Sequence, residues 1–279
     1  MMYKRIDAHQ HFWKYDSVKH AWIDESMHKI KRDFLPDVLL RLLQSNQFSG
    51  CVAVQAEQTE LETKFLLALA QQYDFIKGVV GWVDLLDKRI AERLECFSTE
   101  KKLKGFRHVV QVEAEGFMGK EDFRRGIAAL KEFGYTYDIL IYHHQLHDAI
   151  SLVNQFPGQP FVLNHIAKPN IKSSTIAKWK AGIKELAQAE NVLCKVSGMV
   201  TEAHWHSWKA DDFNPCLDAV FENFSPERIM FGSDWPVCNV AASYSGVVKI
   251  VENYIAQLSQ KDQELVWFKN AQAFYSLDV

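Results

Sequence analysis

The sequence predicts a closed α/β barrel: one (β/α)8 TIM barrel domain spanning 1–279. Short β-branched or aromatic runs alternate eight times with longer amphipathic stretches. Such alternation implies right-handed crossovers and a parallel sheet. A length of 279 residues suits one barrel of this kind. Histidines also gather at the ends of the runs, where barrel enzymes carry their chemistry.

The strands are expected at Tyr3–His9, Cys51–Ala56, Ile76–Val83, Leu103–Val110, Thr136–His143, Pro160–Ile166, Val192–Ser197 and Ile229–Ser233. The helices between them are expected at Pro36–Asn46, Leu61–Tyr73, Asp87–Phe97, Lys120–Phe133, Leu146–Phe156, Ser174–Ala189, Asp211–Asn223 and Tyr244–Leu258, with a last one near Asp262–Tyr275. Pro36 suits a first helical turn. Ser174 precedes Ile176, Trp179, Ile183 and Leu186 at helical spacing. Gly134 follows a helical run as its cap. The longest irregular segment, Phe12–Leu35, comes after strand one, and loops of that length are usually functional or disordered.

Composition sets bounds. Hydrophobic residues make up 48% of the chain, enough for a sizeable core. A net charge of −3 gives no basic excess for nucleic acid or an acidic membrane. No apolar run reaches the ~20 residues of a membrane span, and no signal-peptide pattern opens the sequence. The five cysteines are scattered and lack a CxxC pair, which fits reduced thiols in a cytoplasm. A homo-oligomer is left open.

The motif with most chemical content is Asp7-Ala8-His9-Gln10-His11. Two residues apart on a strand, His9 and His11 share a face and can address a metal ion or a reacting carbonyl. In a closed barrel strands one and eight are neighbours, so Asp234 of Phe231-Gly232-Ser233-Asp234-Trp235-Pro236 joins them. Further strand ends supply Gln55 and Glu57, Trp82 and Asp84, Arg107 and His108, His143 and His144, His165 and Lys168, and Lys195 and Ser197. Alternation turns only one of His143 and His144 inward, with His143 favoured, and only one of Cys194 and Lys195. His204-Trp205-His206 lies in a loop on the catalytic side, where that spacing fixes no common face; either histidine could reach a substrate there, and a surface position is the favoured reading.

Taken in order, these motifs resemble the metal-optional sugar-acid lactonases of the amidohydrolase superfamily. The resemblance runs through Ile6–Trp13, Val54-Gln55-Ala56, Gly78–Leu85, Lys104–His108, Asn164–Pro169, Cys194–Gly198 and Phe231–Val237. It implies a distorted barrel and hydrolysis of a small-molecule lactone of the L-fucono- or L-rhamnono- type. Asp234 would then activate water, and His9, His11 and His165 would surround the carbonyl. Arg107, Gln55, His143 and Lys168 would bind substrate oxygens, and Trp13 would cover an apolar sugar face. Asp234 could later return its proton to the ring oxygen. No cofactor is required on this reading; a single divalent metal, zinc foremost, would sit on His9, His11 and Asp234. Strands four and five lack the lysine that bridges two metals in binuclear relatives. A zinc-dependent decarboxylase or C–C hydrolase of aromatic acids is the alternative, and a non-catalytic sugar-acid-binding barrel the second.

Overall fold

The computed structural model describes residues 4–279. Tyr3, where the first strand is expected to begin, lies outside the described residues. Eight parallel strands follow one another in a single sheet: β1 Ile6–Gln10, β2 Gly50–Val54, β3 Ile76–Gly81, β4 Leu103–His108, β5 Thr136–Ile139, β6 Phe161–Leu163, β7 Val192–Val196 and β8 Ile229–Phe231. The barrel closes just beyond β8, where the His11 amide donates to the Trp235 carbonyl (2.7 Å) and the Asp234 amide to the His9 carbonyl (2.8 Å).

Each strand is shorter than expected, mostly at its C-terminal end. β5 stops at Ile139 and β6 at Leu163. The residues beyond leave the ladder for tight turns, His143–Gln145 and Asn164–Ala167. Extended propensity there yields to the geometry of the site.

The helices form for local reasons. α1 (Pro36–Ser45) starts on its proline. α2 (Glu60–Gln72) is capped by the Thr59 hydroxyl, which accepts from the Glu62 amide. α3 is only Ile90–Glu95. α4 (Glu121–Glu132) opens with two acidic residues against its positive end, and Gly134 follows it at φ +75° as expected. α5 (Leu146–Gln155), α6 (Ala177–Leu186), α7 (Asn214–Phe224) and α8 (Tyr244–Ile255) complete the ring. Ser174 does not start α6: it sits at φ +55° in the preceding turn. The last expected helix is divided into α9 (Gln260–Glu264), a π-turn over Leu265–Lys269 and α10 (Asn270–Phe274). Among the described residues no helix is long and apolar enough to cross a membrane.

Alternation sorts the side chains into two cores. The larger lies between sheet and helices. The smaller fills the barrel with Ile6, Ala8, Val52, Val54, Val80, Val162 and Met230, and is stoppered by Phe268, Ala271, Tyr275 and Leu277 of the C-terminal segment. Lys104 Nζ donates to the Ser276 carbonyl at 3.0 Å, which places this stopper at the N-terminal ends of the strands. The opposite, C-terminal mouth is left for chemistry.

Close strand packing at β4 and β5 depends on Gly105. A Cβ there would stand 2.1 Å from Thr136 Oγ1 and 2.7 Å from the Thr136 carbonyl oxygen. Gly105→Ala is expected to cost about 1–3 kcal/mol as overpacking. Urea unfolding should show it as a lower midpoint at unchanged slope. An unchanged midpoint would mean that the two strands can spread freely.

Candidate active site

β1 carries an irregularity that decides where its histidines point. Asp7 pairs with Cys51 but Gln10 with Ala53, three steps against two. The extra residue is a bulge, a device that re-aims side chains. Asp7 and Gln10 face outward, towards Tyr244 and Cys51. Ala8 and His9 both lie inward, and His11 follows His9 onto that face. The two-residue spacing of His9 and His11 therefore works as expected.

Asp234, at φ +57°, brings its Oδ1 to 3.4 Å from His11 Nε2, 3.7 Å from His165 Nε2 and 3.9 Å from His9 Nε2. Burial alone would raise this carboxyl. The His165 ring, whose Nε2 faces it, and the Lys168 ammonium overcome that and hold it below the usual aspartate value, so it is an anion at neutral pH. Burial drives the three imidazoles the other way, His9 and His165 well below the ordinary value. They are neutral.

Each ring is held by its other nitrogen. His11 Nδ1 lies 2.7 Å from the Val54 carbonyl, so Nδ1 carries the proton and Nε2 presents a lone pair. His165 Nδ1 meets Ser197 Oγ at 2.8 Å. His9 stands between cations, with Lys195 Nζ 3.3 Å from Nδ1 and Arg107 Nη1 3.3 Å from Nε2. A neutral ring has one lone pair and can accept from only one of them. Two glycines make room. A Cβ on Gly232 would stand 2.6 Å from His9 Cβ, and one on Gly198, at φ +61°, within 2.6–2.9 Å of the His165 side chain.

Below the histidines lies a buried ionic layer. Lys195 and Asp138 are both fully buried and paired at 2.6 Å. Asn164 Nδ2 and the Tyr275 hydroxyl also donate to Asp138, each at 2.9 Å. Of the two β7 candidates it is Lys195, not Cys194, that faces inward. Arg107 is clamped by Gln55, whose backbone carbonyl and side-chain oxygen both accept from Nη2, while Gln55 Nε2 donates back to the Arg107 carbonyl at 3.1 Å. Gln55 therefore positions Arg107, with both ends of its amide engaged. Arg107 Nε is buried with no partner among the described residues.

Other candidates fall at the rim. His143 and His144 sit on a turn past β5, not on the strand. His143 Nδ1 bonds the Lys168 carbonyl at 3.0 Å, and His144 is exposed. The inward residue of β5 is Asp138. Trp13 is buried, donates to the Arg32 carbonyl and packs on Phe34, with its ring 6.5 Å from that of His11. It forms a wall behind the site. Lys168 Nζ lies 3.9 Å from Glu202 Oε1, with its side chain 16% exposed. His204 and His206 are exposed, as expected of a surface loop.

Sequence reasoning missed Asp138, Asn164 and Glu202. A charged residue inside Thr136-Tyr137-Asp138-Ile139 was a usable signal, because a carboxylate mid-strand in a barrel needs a partner. Glu202, in a loop, gave none.

A family model described as Amidohydrolase matches residues 6–277. An L-fucono-1,5-lactonase from Burkholderia multivorans is 40% identical over 98% of this chain and 96% of that protein. A second, from Burkholderia ambifaria, is 33% identical over 86% of this chain and 83% of its own length. An amidohydrolase from Burkholderia multivorans crystallised with bound zinc superposes at TM-score 0.95 with 40% identity, covering 99% of this chain and 100% of that one. The chain belongs to the amidohydrolase family. Within it, the chain stands in the lactone-hydrolysing branch and is an enzyme of that class.

The tight fit at Gly198 yields a prediction. Gly198→Ala is expected to displace the His165 ring and to destabilise the fold by about 1–3 kcal/mol through overpacking and the left-handed backbone. The His165 ring signals in an NMR spectrum should shift. An unmoved ring would show that the neighbouring backbone yields instead.

Proposed function

We propose that this protein hydrolyses the lactone of a six-carbon sugar acid of the L-fucono-1,5-lactone type, with Asp234 as the base that activates water. The observation that carries the reading is a buried, ionised carboxylate facing three imidazole Nε2 atoms, next to an arginine with a spare buried N–H. The identity to two L-fucono-1,5-lactonases supports the substrate class.

Attack of water on the carbonyl needs a base and donors for the developing oxyanion. Asp234 takes the proton. Arg107, rigid through Gln55, supplies the charged donor, and the Nε2–H of His165, available when the Ser197 hydroxyl donates to Nδ1, supplements it. These donors are fixed before substrate arrives, so no reorganisation is needed as charge builds.

The donor atoms of His9, His11 and Asp234 lie within 4.8 Å of one another and would hold a single divalent cation. His11 is oriented as a ligand, with its lone pair on Nε2. Such an ion would polarise the carbonyl and lower the pKa of a bound water. The charge already present opposes it. Arg107, Lys195 and Lys168 balance Asp234, Asp138 and Glu202, so a dication would enter a site without net negative charge. On this reading the base and oxyanion roles are carried by side chains, with or without an ion.

Two outcomes are expected. On a panel of six-carbon aldonolactones followed by pH indicator, metal-stripped protein should turn over a 6-deoxy lactone. Asp234→Asn should lower the rate by at least about 10³-fold with an unchanged circular dichroism spectrum. Turnover of aromatic carboxylic acids and of no lactone would overturn the reading.

The acid limb has a definite sign. Asp234 is held below 3.8 in the fold, so the base is lost only as pH falls through that depressed value. A kcat/KM profile should therefore keep its base ionised across the mildly acid range. An acid limb near neutrality would assign the base to an imidazole.

A further inference from the structure

We propose that Lys168 is the acid that protonates the departing ring oxygen, with Glu202 as the residue that positions it. This rests on the lactone reading above and assigns the half of the reaction that Asp234 alone does not settle.

The backbone brings Lys168 to the mouth by an unusual route. His165, Ile166, Ala167 and Lys168 all have positive φ, between 46° and 58°, and none is glycine. Left-handed backbone costs L-residues roughly 1–2 kcal/mol each. A run of four persists only where its surroundings enforce it, and such strain gathers at functional sites. Here the restraints are explicit. The Lys168 amide donates to the His165 carbonyl at 2.8 Å. Trp179 Nε1 donates to the Ile166 carbonyl at 2.6 Å, and His143 Nδ1 meets the Lys168 carbonyl at 3.0 Å. One left-handed turn thus sets Lys168 three residues from His165 and on the same rim.

The side chain is equally constrained. Nζ lies 5.4 Å from the centre of the Tyr142 ring and 3.9 Å from Glu202 Oε1. The charged and titratable groups around it are Tyr142 and His143 after β5, His165 after β6, Glu202 after β7, Asp234 after β8 and Arg107 on β4. Burial lowers the Lys168 ammonium below its ordinary value, and Glu202 and Asp234 oppose that fall. An acid is most effective when its pKa approaches the operating pH. A lone surface lysine does not meet that condition.

The step balances as follows. Asp234 takes one proton from water, and the hydroxide oxygen bonds to the carbonyl carbon. The tetrahedral intermediate then collapses. Its bond to the ring oxygen breaks, and the electron pair goes to that oxygen, which takes a proton from the Lys168 ammonium. The products are a carboxyl group and a free hydroxyl. The proton on Asp234 returns through solvent to the Lys168 amine, and ionisation of the new acid releases the one proton that the reaction yields overall. An aliphatic alkoxide is too basic to leave unprotonated, so the step needs a donor on the leaving side.

The test compares wild type, K168M, K168R and E202Q on a 6-deoxy aldonolactone across pH. Wild-type turnover must come first; its absence would sink the lactone reading and not this assignment. K168M is expected to lower kcat by about 10²-fold or more, with KM within threefold and the basic limb of kcat lost. K168R should not restore kcat, because a guanidinium does not give up its proton. E202Q should move the basic limb to lower pH, since losing the carboxylate lowers the lysine. A raised KM with kcat retained in K168M, or recovery of kcat in K168R, would overturn the proposal and leave Lys168 as a binder of substrate oxygen. K168R and E202Q keep a bulky side chain in the space, so the limb can be read even if K168M fails to fold.

Discussion

The structure depends on how the barrel is sewn shut. Two backbone hydrogen bonds join the end of β1 to the chain beyond β8, and they involve His9, His11, Asp234 and Trp235 themselves. Closure and site assembly are therefore one event. A sheet that failed to close would leave Asp234 on one edge and His9 and His11 on the other. Asp7 reinforces the seam from outside the lumen, accepting from the Ser233 amide and hydroxyl and from Tyr244. Burial pushes its carboxyl up to about 6, against hydrogen bonds that pull it down. Between the unfolded value of 3.8 and about 6 the folded state binds the extra proton, so this group's contribution to stability falls as pH rises through that window. The neutral imidazoles act in the opposite sense, favouring the fold as pH rises through their unfolded value of 6.5.

Much of this was legible in the sequence. The eight-fold alternation located every strand, because a parallel barrel leaves strands buried on both faces and writes them as apolar runs. His9, His11 and Asp234 were legible as a set because closure makes the first and last strands neighbours. The strand ends were not. Thr136–His143 and Pro160–Ile166 read as extended segments, yet the chain departs after Ile139 and Leu163 into turns that tertiary contacts impose. The left-handed run at His165–Lys168 contains no glycine, so no local signal announces it. Trp179, fifteen residues of turn and helix away from β6, holds it in place. Arg107 was legible, but not its partner: Gln55 reads as a substrate ligand until its two amide atoms are seen on the arginine.

The ionic layer under the histidines explains why the fold carries charge where a barrel usually carries aliphatic side chains. Burying Lys195 and Asp138 costs desolvation that their attraction seldom exceeds, so the pair is a poor source of stability. Its value lies in what it touches. Lys195 reaches His9, Asn164 reaches both Asp138 and Arg107, and Tyr275 ties Asp138 to the C-terminal stopper. Lys195 and Arg107, which reach His9 from below, are each thereby fixed by two or more partners. The floor of the site is rigid because it is polar and cross-linked, with the Arg107 Nε–H as the one buried donor left unpaired among these residues.

Rigidity below and strain at the rim divide the labour. The arginine and the three imidazoles are each anchored by a hydrogen bond to a strand or strand-end residue, and the carboxylate by the backbone bond that closes the barrel, which suits groups held still through a reaction. Lys168 and Glu202 lie on turns, 3.9 Å apart and longer than a hydrogen bond, so the ammonium is attracted to the carboxylate without being bonded to it. A base that must never move and an acid that must follow a departing oxygen have different mechanical needs. On the proposed roles, the barrel meets the first need with strand ends and the second with a turn whose backbone is fixed by Trp179 and His143 while the lysine side chain stays unbonded at its tip.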